Sequence, residues 1–175
     1  MTANNWYALK VFFNRVFDIE ERLKKVGTEC YVPVEKRTVM IEGKHKVRIL
    51  PVIGSLMFVR TTEPDILELQ RALQGKLIVY RAPGSTRPAV IPEDEFNIFR
   101  LVTSTGGDLA LEYFGDERMV CHKGDRVRVT EGKLKGVEGY VKRIRRDRKF
   151  MVVIHGVIAV ATAYIPPCFL EKVEE

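Results

Sequence analysis

The sequence predicts an α+β protein in two parts. An antiparallel sheet with flanking helices is expected over residues 1–105, followed by a flexible linker at 106–118 and a small all-β barrel over 119–175. Two observations support this division: apolar spacing alternates between strand and helix periods in the first part, whereas the last part holds only short β-rich runs. A length of 175 residues with 46% hydrophobic content suits one domain or two small ones.

The first strand and helix follow from residue spacing. Residues 6–13 form a short aromatic and β-branched run, which is typical of a buried strand. Over residues 15–26 apolar side chains recur every three or four positions, and Gly27 follows where a helix C-cap is expected. The chain is therefore predicted to begin with a strand and an amphipathic helix.

The remainder of the first part continues this alternation. Residues 29–62 contain β-type runs with a turn candidate at Glu42-Gly43-Lys44, which predicts two or three strands that include a hairpin. Thr62 provides the start of a second helix that ends before Gly75. A strand at residues 77–80 and a third helix starting after Pro92 complete the order βαβββαβα.

Positive charge is concentrated in the second part. The net charge is +6, and residues 123–149 hold eleven Lys or Arg against four acids. Several of these cations lie between two predicted strands, where a hairpin loop would present them to phosphates. A solvated loop that aids solubility is an equally good interpretation of the same charges.

The sequence contains no recognisable catalytic constellation. The three cysteines are too far apart for a disulfide framework, and the three histidines lack metal-binding spacing. No apolar run approaches the roughly 18 residues of a membrane span. We therefore expect a cytoplasmic, monomeric protein that is not an enzyme and holds no cofactor or metal.

A glycine-punctuated motif stands out in the second part. Alternating valines predict strands, and the glycines between them allow positive φ in a tight loop. The segment resembles a KOW motif, which it matches at Gly124, Val127, Val129, Gly132, Gly136, Gly139 and Val141. A generic glycine-turned hairpin is the alternative.

Together with the first part, the chain resembles the NusG family of transcription elongation factors over nearly its whole length. The matches are Trp6-Tyr7, the residues around Tyr31-Val32-Pro33, the run at 51–60 and the KOW motif, in that order. The resemblance implies an RNP-like amino-terminal domain joined to a KOW barrel. The family's Pro-Gly-Tyr is replaced here by Gly54-Ser55-Leu56, and this departure, with the long basic hairpin, is more similar to specialised paralogues of the UpxY type, which act in polysaccharide operons.

The resemblance implies that the first part binds the β′ clamp helices of RNA polymerase and suppresses pausing and termination. Exposed apolar anchors are needed for such an interface. The matching positions are Trp6, Tyr7, Ile53, Leu56 and Phe58. Ordinary core packing is the alternative for each, because side chains of a strand alternate between its two faces.

The resemblance also implies contact with the non-template DNA strand. The candidate nucleic-acid-binding residues are Asn14, Arg15, Lys36, Arg37, Lys44, Lys46 and Arg48, together with Arg143, Arg145, Arg146, Arg148 and Lys149 in the second part. In the family the KOW unit recruits a ribosomal protein or the termination factor Rho. A different class of function stays open: a KOW-containing RNA-binding protein of the ribosome, which would leave the amino-terminal strand and helix order unexplained.

Overall fold

A computed structural model describes residues 3–104, 112–115, 125–144, 147–154, 158–161 and 165–173 of the chain. The chain divides into two compact units, Met1–Glu93 and Asp94–Glu175. The predicted boundary at 106–118 differs from this division, and four of the residues assigned to the linker form a strand, Glu112–Gly115.

The first unit alternates strands and helices as the residue spacing predicts. Its elements in chain order are β1 (Asn5–Val11), α1 (Val16–Lys25), β2 (Glu29–Tyr31), β3 (Val34–Ile41), β4 (Lys44–Pro51), β5 (Leu56–Thr61), α2 (Glu63–Ala72), β6 (Leu77–Val79) and β7 (Val90–Ile91). A third helix, α3 (Glu93–Ser104), begins at the boundary between the units. The antiparallel sheet and three helices confirm the mixed α and β class expected for this part of the chain.

The strand count between the first two helices differs from the prediction. Four strands, β2 to β5, lie there instead of two or three, and the two-residue strand β7 is not among the predicted elements. The first strand also ends at Val11, which leaves Phe12 and Phe13 outside it. Short strands are hard to count from sequence because a three-residue strand such as β2 shows little more than one alternation of side chains.

The sheet of the first unit has β1 at its centre. The strand order is β2-β5-β1-β6, with β7 also pairing with β1, and every pairing is antiparallel. Alternate residues of β1 and β5 point to opposite faces, so Tyr7 shares one face with Val59 while Trp6 and Phe58 share the other.

One face of this sheet carries the hydrophobic core shared with α1 and α2. Tyr7 and Val59 from the sheet belong to one buried cluster with Ile19 of α1 and Ile66 of α2. These helices bury one stripe each, as their three- and four-residue spacing predicts. Leu9, Val11, Val16, Leu23, Val32, Met57, Leu77 and Val79 complete the cluster.

The second unit contains a six-stranded antiparallel sheet. Its strands are β8 (Glu112–Gly115), β9 (Asp125–Val129), β10 (Glu138–Ile144), β11 (Asp147–Ile154), β12 (Ile158–Ala161) and β13 (Leu170–Lys172), in the order β13-β9-β10-β11-β12-β8. Among the described residues β13 and β8 end the sheet without pairing with each other. The β content is as predicted, but the closed barrel is not observed, and β8 takes its place in the sheet from within the predicted linker.

The glycine-punctuated loop joins β9 to β10 by a tight turn. Gly132 and Gly136 have φ values of 84° and 85°, a left-handed conformation that other residues adopt at a cost. The Gly136 N–H donates to the Val129 carbonyl at 2.7 Å, so the loop folds back on the end of β9. Gly124 lies outside the described residues, whereas Val127 and Val129 are buried on one face of β9.

Within the described ranges no helix is long and apolar enough to cross a membrane. The same residues contain no group of three or more His, Cys, Asp or Glu side chains that could hold a metal ion.

Thr62 is the N-cap residue of α2, as the sequence predicts. The Thr62 Oγ1 accepts a hydrogen bond from the Asp65 N–H at 3.3 Å and donates to the Asp65 carboxylate at 2.6 Å. A Thr62→Ala change is expected to reduce the free energy of unfolding by about 1 kcal/mol, because a backbone donor of the first helical turn loses its partner. Urea denaturation measures the loss. Thr62→Ser should keep most of the stability, and equal stability of the Ala and Ser variants would contradict the assignment.

Candidate functional site

The β3–β4 hairpin forms a two-stranded sheet of its own. The strands pair over their whole length, from Val34 opposite Pro51 to Ile41 opposite Lys44. Glu42 and Gly43 between them have φ values of 51° and 73°. Positive φ at both central residues gives a turn whose twist matches that of the strands, which confirms the predicted turn at this position.

Four of the hairpin's candidate cations share one face. Arg37 lies directly opposite Arg48, and Lys44 and Lys46 follow on the same face at alternate positions of β4. The Glu35 carboxylate lies 2.6 Å from the Arg37 guanidinium, which offsets one of these charges. No ion pair within the described part of the chain involves Lys44, Lys46 or Arg48. Like charges placed opposite each other repel, so this face favours an anion between them.

The opposite face of the hairpin is mostly apolar. It carries Met40, Val47 and Ile49, which are 66%, 67% and 58% exposed, and also Lys36. The structure therefore separates Lys36 from the other four cations of the hairpin, which the sequence alone could not show because the register of pairing was unknown.

The turn between β1 and α1 holds the other amino-terminal candidates. Asn14 has a φ of 54°, and Arg15 follows it at the N-cap position of α1, where its side chain makes no capping hydrogen bond. Both side chains are exposed. The backbone here is close to the loop before β5, because the Val11 N–H donates to the Ser55 carbonyl at 2.6 Å.

The second unit has a basic hairpin of similar pattern. Arg143 of β10 lies directly opposite Arg148 of β11, and both are exposed. Lys142 lies opposite Lys149, which is only 9% exposed and so presents little surface to a ligand. The remaining two candidates of this hairpin, Arg145 and Arg146, lie outside the described residues.

Part of the positive charge of residues 123–149 is paired with an acidic side chain. The Glu138 carboxylate lies 2.9 Å from the Arg126 guanidinium and 2.6 Å from that of Arg128. The hydrogen bond from Arg128 lowers the pKa of Glu138, so this carboxylate stays charged between the two arginines. This one carboxylate therefore offsets part of the positive charge of Arg126 and Arg128 on β9.

The five polymerase-binding candidates are not brought together on one exposed surface. Trp6, Leu56 and Phe58 share one face of the sheet but are at most 2% exposed. Tyr7 points to the other face, where burial among the core side chains raises its pKa. Ile53 lies in the turn before β5 and is partly exposed. All of the five residues except Ile53 are therefore buried, which is the environment that the core-packing alternative describes.

Two aromatic residues beside this turn were missed as candidates. Phe12 and Phe13 were assigned to the first strand because they continue its aromatic run, but they lie in the turn to α1. Phe13 is 76% exposed. Asn14 is a residue type that favours a left-handed backbone, whereas phenylalanine is not. The sequence therefore does not indicate that Phe13 adopts this conformation.

Comparison with known proteins bears on these observations. No curated protein sequence matches the chain closely enough to count as a relative. A solved structure described as "Domain interaction in Thermotoga maritima NusG" is similar over 98% of both chains, with 16% sequence identity and a TM-score of 0.48. The family model described as "Transcription termination factor nusG" matches residues 4–100, which is more than half of the chain. The chain therefore belongs to the NusG family, a non-enzymatic family of transcription elongation and antitermination factors that interact with RNA polymerase.

Proposed function

We propose that this protein binds RNA polymerase at the β′ clamp helices and suppresses pausing and termination. The observation that carries the proposal is the family match over residues 4–100, since this range contains the whole amino-terminal sheet and the β3–β4 hairpin. The proposal assigns the sheet to the polymerase and the hairpin to nucleic acid.

The proposed polymerase surface is the sheet face that carries Trp6, Leu56 and Phe58, with Ile53 at its edge. Apolar and aromatic anchors on a rigid sheet supply most of the binding energy of a small interface. Leu56 and Phe58 are only 2% and 0% exposed in the free protein. Ile53, which is partly exposed, is the member of this surface that a partner can contact directly. Tyr7 supports the same surface from the opposite face, as part of the core.

The proposed nucleic-acid surface is the cationic face of the β3–β4 hairpin together with Asn14 and Arg15. Because Arg37 is already paired with Glu35, the charge that a phosphate meets on this face comes mainly from Lys44, Lys46 and Arg48. The hairpin formed by β10 and β11 offers a second pair of opposed arginines, Arg143 and Arg148. The non-template DNA strand is the proposed ligand of the first surface, and Lys36, on the opposite face of the hairpin, is not part of that surface.

The proposed specialisation is a role at specific operons, such as those for polysaccharide biosynthesis. It is supported by Gly54-Ser55-Leu56 at the position of the family's Pro-Gly-Tyr. These residues belong to a tight turn, because the Leu56 N–H donates to the Ile53 carbonyl at 3.1 Å. This turn lies at the edge of the proposed polymerase surface. Its residues can therefore differ between paralogues without a change in the hydrophobic core. The second unit, proposed as a KOW domain, would recruit a ribosomal protein or Rho.

An Ile53→Asp variant tests the polymerase assignment. We expect its affinity for a purified bacterial RNA polymerase elongation complex to fall about tenfold or more, because a charge at an apolar anchor must be desolvated on binding. Fluorescence anisotropy with the labelled full-length chain measures the affinity. The variant should keep the circular dichroism spectrum of the wild type, since Ile53 is not buried.

The matched control is Val26→Asp. Val26 is 74% exposed at the end of α1, on the other face of the sheet, and its change should leave polymerase affinity unaltered. An elongation complex that lacks the β′ clamp helices should not bind the wild-type protein. Equal binding to the intact and the truncated complexes would exclude the clamp helices as the partner.

A further inference from the structure

Phe13 adopts a backbone conformation that is costly for its side chain. Its φ is 62°, and the next residue, Asn14, also has positive φ at 54°. Asparagine tolerates this region, but a bulky residue in it is a genuine outlier because Cβ approaches the neighbouring carbonyl. A glycine would adopt the same backbone without this clash. The phenyl ring at position 13 is therefore retained despite an unfavourable backbone.

The surrounding structure holds this turn in place. On one side the Phe12 N–H donates to the Lys76 carbonyl at 2.8 Å, and on the other the Ile19 N–H donates to the Arg15 carbonyl at 3.1 Å. The Asn14 side chain lies against Gly54, 3.7 Å from where a Cβ would stand. The turn is thus fixed at both ends, and the orientation of Phe13 is imposed by β1 and α1.

The ring does not contribute to the core. Phe13 is 76% exposed, the highest exposure among the large apolar side chains of the described residues. Its ring centroid lies 6.3 Å from that of Phe12, with the planes tilted by 58°, and Phe12 is only half-buried. Neither the backbone conformation nor burial in the free protein explains a phenylalanine at this position.

Three cations lie on the chain segments next to the two rings. The Lys10 Nζ lies 6.0 Å from the centroid of the Phe12 ring, Arg15 follows the turn, and Lys76 is joined to Phe12 through the backbone. All three side chains are exposed, and no ion pair of the described residues involves them. A ligand for this cluster must offer both a flat apolar face and negative charge.

We propose that the Phe13 ring is a stacking platform for an unpaired nucleobase, with Lys10, Arg15 and Lys76 holding the adjacent phosphates. Single-stranded nucleic acid has both chemical features, since every base presents a π-face and every linkage carries a charge. The rigid turn removes the cost of orienting the ring when the base arrives. The inference deepens the proposed contact with the non-template strand and rests on it for the identity of the ligand in the cell. The proposed contacts with a base and its phosphates do not require the polymerase.

The Phe13→Gly variant separates binding from folding. Glycine removes the ring and relieves the backbone, so its melting temperature should equal or exceed that of the wild type. Its affinity for fluorescein-labelled dT12 should fall by about fivefold or more, the loss expected for one stacked base. Phe13→Leu should show a similar loss of affinity, because leucine is apolar but has no π-face, and Phe13→Tyr should bind as the wild type does. The control is Phe17→Ala, which removes a ring that is 39% exposed on α1 and should leave the affinity unchanged.

A tryptophan at this position provides a spectroscopic readout. In a Phe13→Trp variant the indole should be quenched when dT12 binds, while the native Trp6, only 2% exposed, contributes a constant background. Parallel titrations with U12 show whether the platform accepts DNA, RNA or both, and quenching of the indole by either oligonucleotide supports stacking. The slope of log affinity against log salt should be unchanged in Phe13→Gly, because stacking releases no counterions.

Three results would overturn the inference. They are wild-type protein that binds neither oligonucleotide, Phe13→Gly that binds as well as wild type, and Phe13→Leu that keeps full affinity, which would show that the base does not stack on an aromatic ring at this position. Failure of polymerase binding with intact oligonucleotide binding would contradict the proposed function alone. The two proposals can therefore fail separately.

Discussion

Replacing Gly139 with alanine is expected to destabilise the second unit severely. A Cβ at this position would lie 2.6 Å from the Phe150 ring and closer still to the Met151 carbonyl oxygen. Gly139 is paired with Val127 across the β9–β10 ladder, so the backbone cannot move away without breaking hydrogen bonds. Overpacking of this kind costs about 3 kcal/mol. Denaturant unfolding followed by circular dichroism measures the loss.

Gly132→Ala is the matched control for this variant. A Cβ at Gly132 meets no atom within 4 Å, but the φ of 84° makes any side chain strained there. We expect a loss of only about 1 kcal/mol, which arises from conformation and not from a clash. If both alanine variants lost equal stability, the close approach of β11 to Gly139 would not be the reason that glycine stands at this position.

A Tyr7→Asp variant is expected to unfold the first unit at neutral pH. Tyr7 is 1% exposed in the cluster that joins the sheet to α1 and α2, and an aspartate there would lose the packing and bury an unpaired charge. The combined loss of about 4 kcal/mol or more is a large fraction of the stability of a small domain. Thermal unfolding monitored by circular dichroism measures it.

The pH dependence of this variant identifies the cause. Burial raises the pKa of an aspartate above its unfolded value of about 3.9, so the penalty is smallest below that pH and grows as pH rises through the folded pKa. Tyr7→Phe should retain most of the stability because it keeps the ring. A Tyr7→Asp protein that stays folded at pH 7 and loses only polymerase binding would instead make Tyr7 a surface anchor.

Element type was largely predictable from residue spacing. Val16, Ile19 and Leu23 lie on one buried stripe of α1, as their apolar spacing predicts. Thr62, which predicts the start of the second helix, is the N-cap residue of α2. These signals are local, because a helix hydrogen-bonds within itself and its period is visible in a short window. The turn at Glu42-Gly43 was predictable for the same reason.

Surface and core positions were much less predictable. Trp6, Tyr7 and Phe58 are all apolar residues of strands, and their residue types do not say which face each one occupies or what covers it. The cations of β3 and β4 also could not be sorted into faces until the pairing of Arg37 with Arg48 was known. The predicted linker includes Glu112–Gly115, which forms strand β8. A four-residue strand has little sequence signal of its own, and only its pairing with β12 identifies it.

Sequence by itself determined the alternation of strands and helices, the hairpin turn, the β-rich second unit and the motif order that resembles the NusG family. Tertiary structure alone decided which side chains lie in the core, which cations oppose each other, why Gly139 must be glycine and that Phe13 stands exposed on a left-handed backbone. The physical reason is that helices and tight turns depend on neighbours in the chain, whereas faces, registers and close approaches depend on residues far apart in sequence that only folding brings together.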